Sequence, residues 1–385
     1  MDRIAIQWQA RRFYPDLYGG LEVVGYQTVK ALHALGHDLS VLTENYPAGP
    51  LIHDEPIPGI PCTRIPTAGK GIFWRIAPWA RVTRWAFCQR KYARGAEIVI
   101  ATHPECVIAG KIALPKRPVV YNCETVTAAA IPSHERTPLL AHQIRLERLA
   151  ARMANRVTVP SENTKRQLLD FVDLPEQKVH LVPHGIDYPT FAEAKRAPQL
   201  VDLKRSGFFV VLYVGRLHRE KGVDLAIEIL SRMKHRGQTR LVFVGEGPEE
   251  HDLRVQAAKT GVAEHIIFTG KLANPETYIA AADVLILPSR QEAFGIVLLE
   301  AMAAGRPCVA WANDPPIARV ACSEIIVDGQ TGYCVRPFDL GEFADRLDRL
   351  AHDEALRQRM GQAAQLRCQA NYSWQHTAEL YLERV

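Results

Sequence analysis

Carboxylates and cations of the second half of the chain stand where apolar runs give way to helical patterns. The clearest stretch covers 282 to 307, ADVLILPSRQEAFGIVLLEAMAAGRP. Its apolar run Val284 to Leu287 stops at Pro288 and a Leu/Glu/Ala/Met segment follows, which predicts a strand, a loop and a helix. Glu292 falls in the loop and Glu300 on the helix, about 8 to 12 Å apart at a rise of roughly 1.5 Å per residue. At that separation the two carboxylates would not share a proton, so we expect them to bind two parts of one elongated ligand.

Glutamates at one such junction are ordinarily solvated charges, unless neighbouring strand ends carry groups that could bind the same ligand. Three neighbouring predicted strands are followed by cations or glycines. Arg216 follows the strand predicted over 209–214, and Lys221 precedes the next helix. Gly245 and Lys271 follow the next two strands. Cations and glycines at adjacent strand ends beside helix N-termini predict a binding site for a diphosphate.

Composition limits the class of protein. The chain has 385 residues, a formal net charge of +5 and 47% hydrophobic residues, which predicts a globular protein of two domains, or three. No apolar run approaches the roughly 18 residues of a membrane span, and the N-terminus MDRIAIQW lacks a signal-peptide pattern, so we expect a cytoplasmic protein. The eight cysteines form no Cys-x-x-Cys pair, which gives a zinc site no support. The acids at 249, 250 and 252 suit the first turn of a helix better than a metal site.

Short apolar runs alternate with helical patterns in both halves. Such alternation predicts an α/β protein with parallel, doubly wound sheets, here two Rossmann-like domains facing each other across a cleft. Between 188 and 206 the periodicity is lost, which predicts a linker. In the first half, Gly19 and Gly20 stand where the first helix begins; they suit either a phosphate contact or a plain turn. His103 follows the strand predicted over 97–101 and would face the ligand crevice, or be a hydrogen-bonded loop residue.

The segment 70–94 is basic and aromatic. It has seven Lys or Arg, no acid and six aromatics. One helical stripe is apolar and comprises Trp79, Val82, Ala86 and Ala93. Trp85 falls among the arginines. The pattern fits a helix lying on an anionic membrane surface, and it fits equally a surface helix packed on a sheet. Nucleic acid is a weaker alternative because no recognition fold accompanies the charge.

Nearly the whole chain resembles the retaining nucleotide-sugar glycosyltransferases of the GT-B fold, glycosyltransferase family 4. The motifs that carry the resemblance are the glycine pair at 19–20, VPHGID at 182–187, VGRLHREKG at 214–222, VGEGP at 244–248, FTGKL at 268–272, the two glutamates separated by seven residues, SEIIVDGQTGYCV at 323–335 and NYSW at 371–374. The chain departs from the family at His184, where Asn is common. It has no Asp-x-Asp motif, which suits a metal-independent enzyme.

The resemblance implies roles for residues on the donor side. Arg216 and Lys221 would neutralise the donor diphosphate, and Glu300 would accept hydrogen bonds from the ribose hydroxyls. Glu292 would hold the transferred sugar together with the backbone N–H groups of Phe294, Gly295 and Ile296. In the first domain, Gly20 would contact the diphosphate and His103 would lie near the C6 hydroxyl of the sugar.

The resemblance also implies an organisation and an activity. Residues 1–187 would form the acceptor domain, 188–372 the nucleotide-sugar domain, and the helix 373–385 would pack back on the first domain. The predicted activity is retaining transfer of a hexose from a UDP- or GDP-sugar, with no separate cofactor, to a hydroxyl acceptor such as a lipid-linked saccharide in polysaccharide or lipopolysaccharide synthesis. Alternatives are a soluble small-molecule acceptor, a nucleotide-sugar epimerase and a catalytically silent sugar-nucleotide binding module.

Overall fold

The computed structural model describes residues 3–14, 20–45, 50–66, 78–93, 95–131, 137–315 and 317–384. They form two compact units. One comprises 1–185 together with 374–385, and the other comprises 186–373. Each unit has a mainly parallel sheet with helices packed on it, so the predicted α/β class with two Rossmann-like sheets is confirmed.

The first unit contains a sheet of eight strands within the described residues. In chain order its elements are β1 (Ala5–Ala10), α1 (Gly20–Ala34), β2 (Asp38–Glu44), β3 (Ile52–Ile57), β4 (Ile60–Ile65), α2 (Pro78–Tyr92), β5 (Ile98–Ala101), α3 (Pro104–Ala113), β6 (Val119–Asn122), α4 (Thr127–Ala130), α5 (Pro138–Met153), β7 (Arg156–Val159), α6 (Glu162–Phe171), β8 (Val179–Leu181) and, at the end of the chain, α16 (Trp374–Arg384). The strands lie in the order β3-β4-β2-β1-β5-β6-β7-β8. All neighbours are parallel except β3 and β4, an antiparallel hairpin at one edge that the sequence did not predict.

The second unit contains a six-stranded parallel sheet and a two-stranded ribbon within the described residues. In chain order its elements are α7 (Tyr188–Ala192), α8 (Pro198–Arg205), β9 (Phe209–Val214), α9 (Val223–Arg232), β10 (Thr239–Val244), α10 (Glu250–Lys259), β11 (Ile266–Phe268), α11 (Pro275–Ala281), β12 (Val284–Leu287), β13 (Gln291–Glu292), α12 (Ile296–Ala303), β14 (Cys308–Trp311), β15 (Arg319–Val320), α13 (Cys322–Ile325), β16 (Gly332–Val335), α14 (Leu340–His352) and α15 (Glu354–Asn371). The order of the large sheet is β11-β10-β9-β12-β14-β16, and β13 pairs with β15.

The central strands are continuous apolar runs because both faces of these sheets are covered by helices. β12 and β14 are buried along their whole length. Trp8 and Trp85 lie in the core of the first unit and Trp311 in that of the second.

The predicted linker at 188–206 is wrong. It folds into α7 and α8, which belong to the second unit. Pro189 and Pro198 each stand in the first turn of a helix, where proline is tolerated. Because α8 is short and only Leu200 within it is fully buried, its apolar pattern is too sparse to be recognised in the sequence.

Candidate active site

The strand order of the second unit reverses between β9 and β12. From β9 the chain continues outward to β10 and β11, and from β12 it continues the other way to β14 and β16. In doubly wound sheets, ligands bind at the carboxyl ends of the strands beside such a reversal. The loop after β9 carries Arg216 and Lys221, and the loop after β12 carries Glu292. The sheet topology therefore places these predicted residues at the reversal.

Lys221 and Glu292 form an ion pair there. Lys221 Nζ donates to Glu292 Oε2 at 3.0 Å, and the buried Ser289 hydroxyl donates to the same oxygen at 3.4 Å. Burial by itself lowers the pKa of Lys221, but the charge and hydrogen bond of Glu292 outweigh it, so the net shift is upward. The ammonium group is thus kept protonated and in one position.

The main chain around Glu292 is held by two sets of contacts. Its carbonyl oxygen accepts from Ala321 N at 2.9 Å beside the β13–β15 ribbon. Arg290 makes a two-pronged ion pair with Asp224, both contacts at 2.7 Å, and also donates to the Arg219 carbonyl at 2.7 Å. Sequence reasoning missed this ion pair because Arg290 and Asp224 lie 66 positions apart. Arg290 stands inside the stretch 282–307, whereas Asp224 lies beyond the motif at 214–222.

Two glycines of this site allow backbones to pack together. Gly222 has φ of 68°, and a Cβ there would lie 1.8 Å from the carbonyl oxygen of Pro288. A Cβ on Gly245 would lie 1.9 Å from the carbonyl oxygen of Gly215. From the sequence, the glycines at these strand ends were expected to form part of a diphosphate site. The structure shows that these two are required first by the contact between neighbouring loops.

Arg216 is exposed, and its guanidinium makes no hydrogen bond or ion pair with the described residues. Its carbonyl oxygen accepts from the buried Tyr213 hydroxyl at 2.8 Å, which fixes the main chain at this point. Lys271 is exposed beyond β11, and the backbone bond from Gly245 N to Gly270 O, 2.9 Å long, joins its loop to the loop after β10. The charge of Arg216 is therefore available to an anion.

The helix α12 begins directly after Gly295, which has φ of 93°. Its first N–H groups have no partner within the helix, as at any helix N-terminus, so those of Gly295 and Ile296 are suited to oxygen ligands. Phe294 is buried and packs edge-on against Tyr372. Glu300 lies one turn into the helix, where burial and then the charge of Glu276 raise its pKa to about 7.

The first unit has an equivalent reversal between β1 and β5. His103 follows β5, and its Nδ1 accepts from Arg11 N at 3.4 Å and lies 2.9 Å from the Thr102 hydroxyl. Burial, then the charge of Arg11, lowers the pKa of His103 to about 4. The imidazole is neutral at pH 7. Because Nδ1 accepts, the proton is on Nε2, which can donate to a ligand hydroxyl.

A cavity of about 250 Å³ opens beside His103, lined by residues that follow β1, β5 and β6 and by residues of α1, α4 and α5. Its wall includes Glu124, which pairs with His184 at 2.9 Å and accepts from Asn122 at 2.7 Å. Glu147 accepts from the N–H of Thr127, and burial raises its pKa. His184 therefore makes a side-chain hydrogen bond at this position, where the family often has Asn. The lining can bind several hydroxyl groups at once.

Gly20 is the first residue of α1, and nothing lies within 4 Å of a Cβ built there. Gly19 lies outside the described residues. The cavity is lined by three residues of the same helix, Leu21, Glu22 and Gly25. Gly20 directly precedes the first of them in the chain.

The basic segment is helical over α2, while 70–77 and 94 lie outside the described residues. The predicted apolar stripe is wrong in part. Trp85 is fully buried and donates to Glu44 at 3.2 Å, whereas Trp79 is 50% exposed. Arg84 also pairs with Glu44. The sequence did not predict which face of α2 is buried, because that face carries polar groups, the indole N–H of Trp85 and the guanidinium of Arg84, that contact the carboxylate of Glu44 on β2.

Two family profiles divide the chain between them. Glycosyltransferase Family 4 matches residues 18–188, and Glycosyl transferases group 1 matches residues 200–367. A glycogen synthase of Mycobacterium tuberculosis is 30% identical over 98% of this chain and 94% of its own. The alpha-D-kanosaminyltransferase of Streptomyces kanamyceticus is 29% identical over 84% of this chain and 85% of its own.

Solved structures share the fold. Sucrose-phosphate synthase from Thermosynechococcus elongatus superposes with a TM-score of 0.79 at 20% identity, covering 99% of both chains. Anabaena HepE in complex with UDP-glucose has a TM-score of 0.76 at 19% identity, also over 99% of both chains. The chain is a glycosyltransferase of the group 1 and family 4 type with the GT-B fold.

In this glycosyltransferase the site residues predicted in the second unit follow the carboxyl ends of the strands of one sheet. The described site residues of the first unit, Gly20 and His103, follow the carboxyl ends of strands of the other sheet. The structure shows Lys221 paired with Glu292, which the sequence did not predict. Among the described residues, no group of three or more His, Cys, Asp and Glu side chains could hold a metal ion.

Proposed function

We propose that this glycosyltransferase transfers a hexose from a nucleoside-diphosphate sugar to a hydroxyl acceptor with retention of anomeric configuration and without a metal ion. The observation that carries the proposal is Arg216, which is exposed and has no ion-pair partner among the described residues, beside the Lys221–Glu292 pair at the strand reversal of the second unit. The UDP-glucose complex of Anabaena HepE, which has the same fold, supports this class of donor.

The arrangement suits cleavage of a glycosyl–phosphate bond. As that bond breaks, negative charge develops on the leaving diphosphate and positive charge on the sugar ring. Arg216 and Lys221 are positioned to stabilise the former without a metal ion, and Glu292 is positioned to stabilise the latter. In the free enzyme Glu292 is the counterion that keeps Lys221 in place; with donor bound, the ammonium gains phosphate oxygens as further partners.

Glu292 is not the nucleophile in this proposal. One of its oxygens already accepts from Lys221 and Ser289, which makes the carboxylate a weaker nucleophile. The acceptor attacks from the leaving-group side, and a phosphate oxygen takes its proton. NMR of the product should show the anomeric configuration of the donor. A glycosyl ester on Glu292 in trapped enzyme would contradict this route.

The test of the donor site is a thermal-shift screen against UDP-, GDP-, ADP- and dTDP-sugars, because a ligand of the folded state raises the melting temperature. We expect one nucleotide class to raise it, also in EDTA, and Arg216→Ala to abolish the rise. Arg216→Ala should lower the turnover rate by about two to three orders of magnitude, which corresponds to an increase of about 3 to 4 kcal/mol in the activation free energy.

Arg232→Ala is the matched control, since Arg232 is an exposed cation on α9 of the same unit. A donor-induced shift that survives Arg216→Ala, or one that requires added Mg²⁺ or Mn²⁺, would overturn the assignment. Conversion of the nucleotide sugar with no acceptor present would favour an epimerase instead.

We propose further that the acceptor is a saccharide hydroxyl carried at an anionic membrane surface, as in a lipid-linked saccharide. The carboxylates and amides of the first-unit cavity suit a polyhydroxylated ring. The outward face of α2 presents Trp79, Phe87 and Lys91, and Phe87 is 72% exposed. Exposed aromatics next to a cation are suited to a lipid interface. None of the described helices is both long and apolar enough to cross a membrane.

Vesicle co-sedimentation tests this surface. We expect binding to vesicles that contain anionic lipid, and a loss in the double variant Trp79→Ala/Phe87→Ser. Leu366→Ser is the matched control, because Leu366 is 68% exposed on α15 of the other unit. Arg81 and Arg84 are unsuitable for charge reversal, since they pair with Glu105 and Glu44. Equal sedimentation of the double variant and the parent would leave a soluble acceptor as the remaining candidate.

A further inference from the structure

A second polar cavity lies at the opposite edge of the second unit's sheet. It has a volume of about 420 Å³ and is lined by residues that precede the strands β12 and β14, together with residues of α8 and α15. Asp283 directly precedes β12, and Arg306 stands two positions before β14. The donor residues follow the carboxyl ends of the same sheet, so roughly 13 to 20 Å of strand separates the two sites at about 3.3 Å per residue.

Cations outnumber carboxylates in this cavity. Four cationic side chains and two carboxylates line it, namely Arg196, Lys204, Arg306 and Arg357 against Asp283 and Glu354. Asp283 is already engaged. It pairs with Lys204 at 2.8 Å and Arg357 at 3.7 Å, and it accepts from Val210 N at 2.9 Å. One buried carboxylate thus holds two of the cations in place.

The side chain of Arg306 is held in place by hydrogen bonds to main-chain carbonyl groups. Its Nε donates to Ala304 O at 3.1 Å and its Nη1 to Ala282 O at 3.2 Å, while its Nη2 makes no hydrogen bond with the described residues. Burial lowers the pKa of Arg306, and the nearby charge of Arg196 lowers it further; Asp283 opposes this only in part. The positive charges therefore repel one another, and a bound anion would relieve that repulsion.

Three glutamines complete the lining. Gln358, Gln362 and Gln365 are spaced at i, i+4 and i+7 on α15, so they lie along one face of the helix. Amide groups can donate to and accept from hydroxyls, whereas the planar guanidinium groups match the oxygens of a phosphate. A volume of this size is ordinary for a small-molecule site.

We propose that this cavity binds a phosphate monoester carried on a small polyhydroxylated molecule, that is, a sugar phosphate. Arg196, Arg306 and Arg357 contact the phosphate, and the glutamines of α15 contact hydroxyl groups. The site is separate from the donor site and does not depend on the proposed donor.

The test uses the full chain carrying Arg216→Ala, so that the donor-site cation cannot account for phosphate binding. Calorimetric titration with glucose 6-phosphate, inorganic phosphate and glucose separates the contributions of phosphate and hydroxyl groups. We expect glucose 6-phosphate to bind more tightly than phosphate, and glucose not to bind. Arg196→Gln should weaken glucose 6-phosphate binding by about tenfold, the scale of a lost charge-assisted hydrogen bond.

Arg196 is exposed and makes no hydrogen bond or ion pair with the described residues, so its replacement is not expected to affect folding. Arg232→Gln in the same background is the matched control and should bind as its parent does. Equal affinity in Arg196→Gln and its parent would overturn the proposal. So would absence of binding at millimolar glucose 6-phosphate, or binding that occurs only when Arg216 is restored.

Discussion

At the scale of single residues, the environment of each charge decides its state. Lys221 and Glu300 are both partly buried, yet among the described residues only Lys221 of the two has a partner of opposite charge. Lys221 therefore stays protonated, whereas burial and then Glu276 raise the pKa of Glu300 to about 7. The Glu300 carboxyl group is thus partly protonated in the free enzyme at neutral pH.

Glu300→Gln should change the pH dependence of stability. Because the pKa of Glu300 is raised above its ordinary value of about 4.5, the folded state binds more protons than the unfolded state between about pH 4.5 and 7. Stability contributed by this group is therefore lost as pH rises through that window. The free energy of unfolding of the variant should exceed that of the parent by on the order of 3 kcal/mol at pH 8, and by little at pH 4.5.

Melting temperatures of parent and variant measured from pH 4.5 to 8 check this. Glu193→Gln is the control, since Glu193 is exposed in the same unit. Parallel curves for parent and Glu300→Gln would contradict the shifted pKa.

At the scale of elements, the site depends on loops that pack through their main chains. The turn before α9 lies against the loop after β12, where Gly222 meets Pro288 and Arg290 pairs with Asp224. Lys221 and Glu292 stand directly beside these contacts in the chain. The loops after β9 and β12 are thereby held in one relative position, which sets the distance between the two charged groups.

Gly222→Ala tests that packing. The new methyl group would lie 1.8 Å from Pro288 O, so the loops must separate, and we expect a loss of about 2 to 4 kcal/mol in stability and at least tenfold in turnover. Gly261→Ala is a sharp control, because Gly261 has the same φ of 68° with nothing within 4 Å. It should lose only the roughly 1 kcal/mol of left-handed strain. Equal losses in both variants would show that strain, not contact, requires glycine at 222.

At the scale of the whole molecule, α16 comes after the second unit in the chain but packs on the first unit. α16 packs on α1, and Tyr381 is buried edge-on against Trp8 at 6.0 Å. Thr377 donates to the Pro183 carbonyl at 2.8 Å. The last residues of the sequence therefore complete the core that supports β1.

Tyr381→Ala should destabilise the first unit selectively, by about 3 kcal/mol or more, because a fully buried aromatic ring is lost. Hydrogen exchange is the appropriate measurement, since it reports each unit separately. Amides of β1 and α1 should exchange faster, while those of β12 and α12 serve as the internal control. Faster exchange across both units to the same extent would contradict the assignment of α16 to the first unit.

Much of the candidate site could be predicted from the sequence. Val284–Leu287 is a strand as predicted, since a short apolar run ended by proline has few alternatives. The elements around it alternate as predicted because parallel sheets require a helix after each strand. The family followed from motifs at strand ends. These features are local in the chain, so local patterns reveal them.

Tertiary structure alone decided the rest, because it depends on groups that are distant in the chain. The sequence placed Trp85 among surface arginines, but Glu44, 41 positions away, provides a buried acceptor for its indole. The spacing of Gly222 did not reveal the Pro288 carbonyl against which it lies. The sequence did not reveal the cationic cavity near Asp283. Asp283 and Arg306 stand within the stretch 282–307, but the other cations of the lining come from distant parts of the chain, including α8 and α15. Residue types and spacing determined which chemistry the chain carries, whereas packing decided which charges are paired, buried or left available to a ligand.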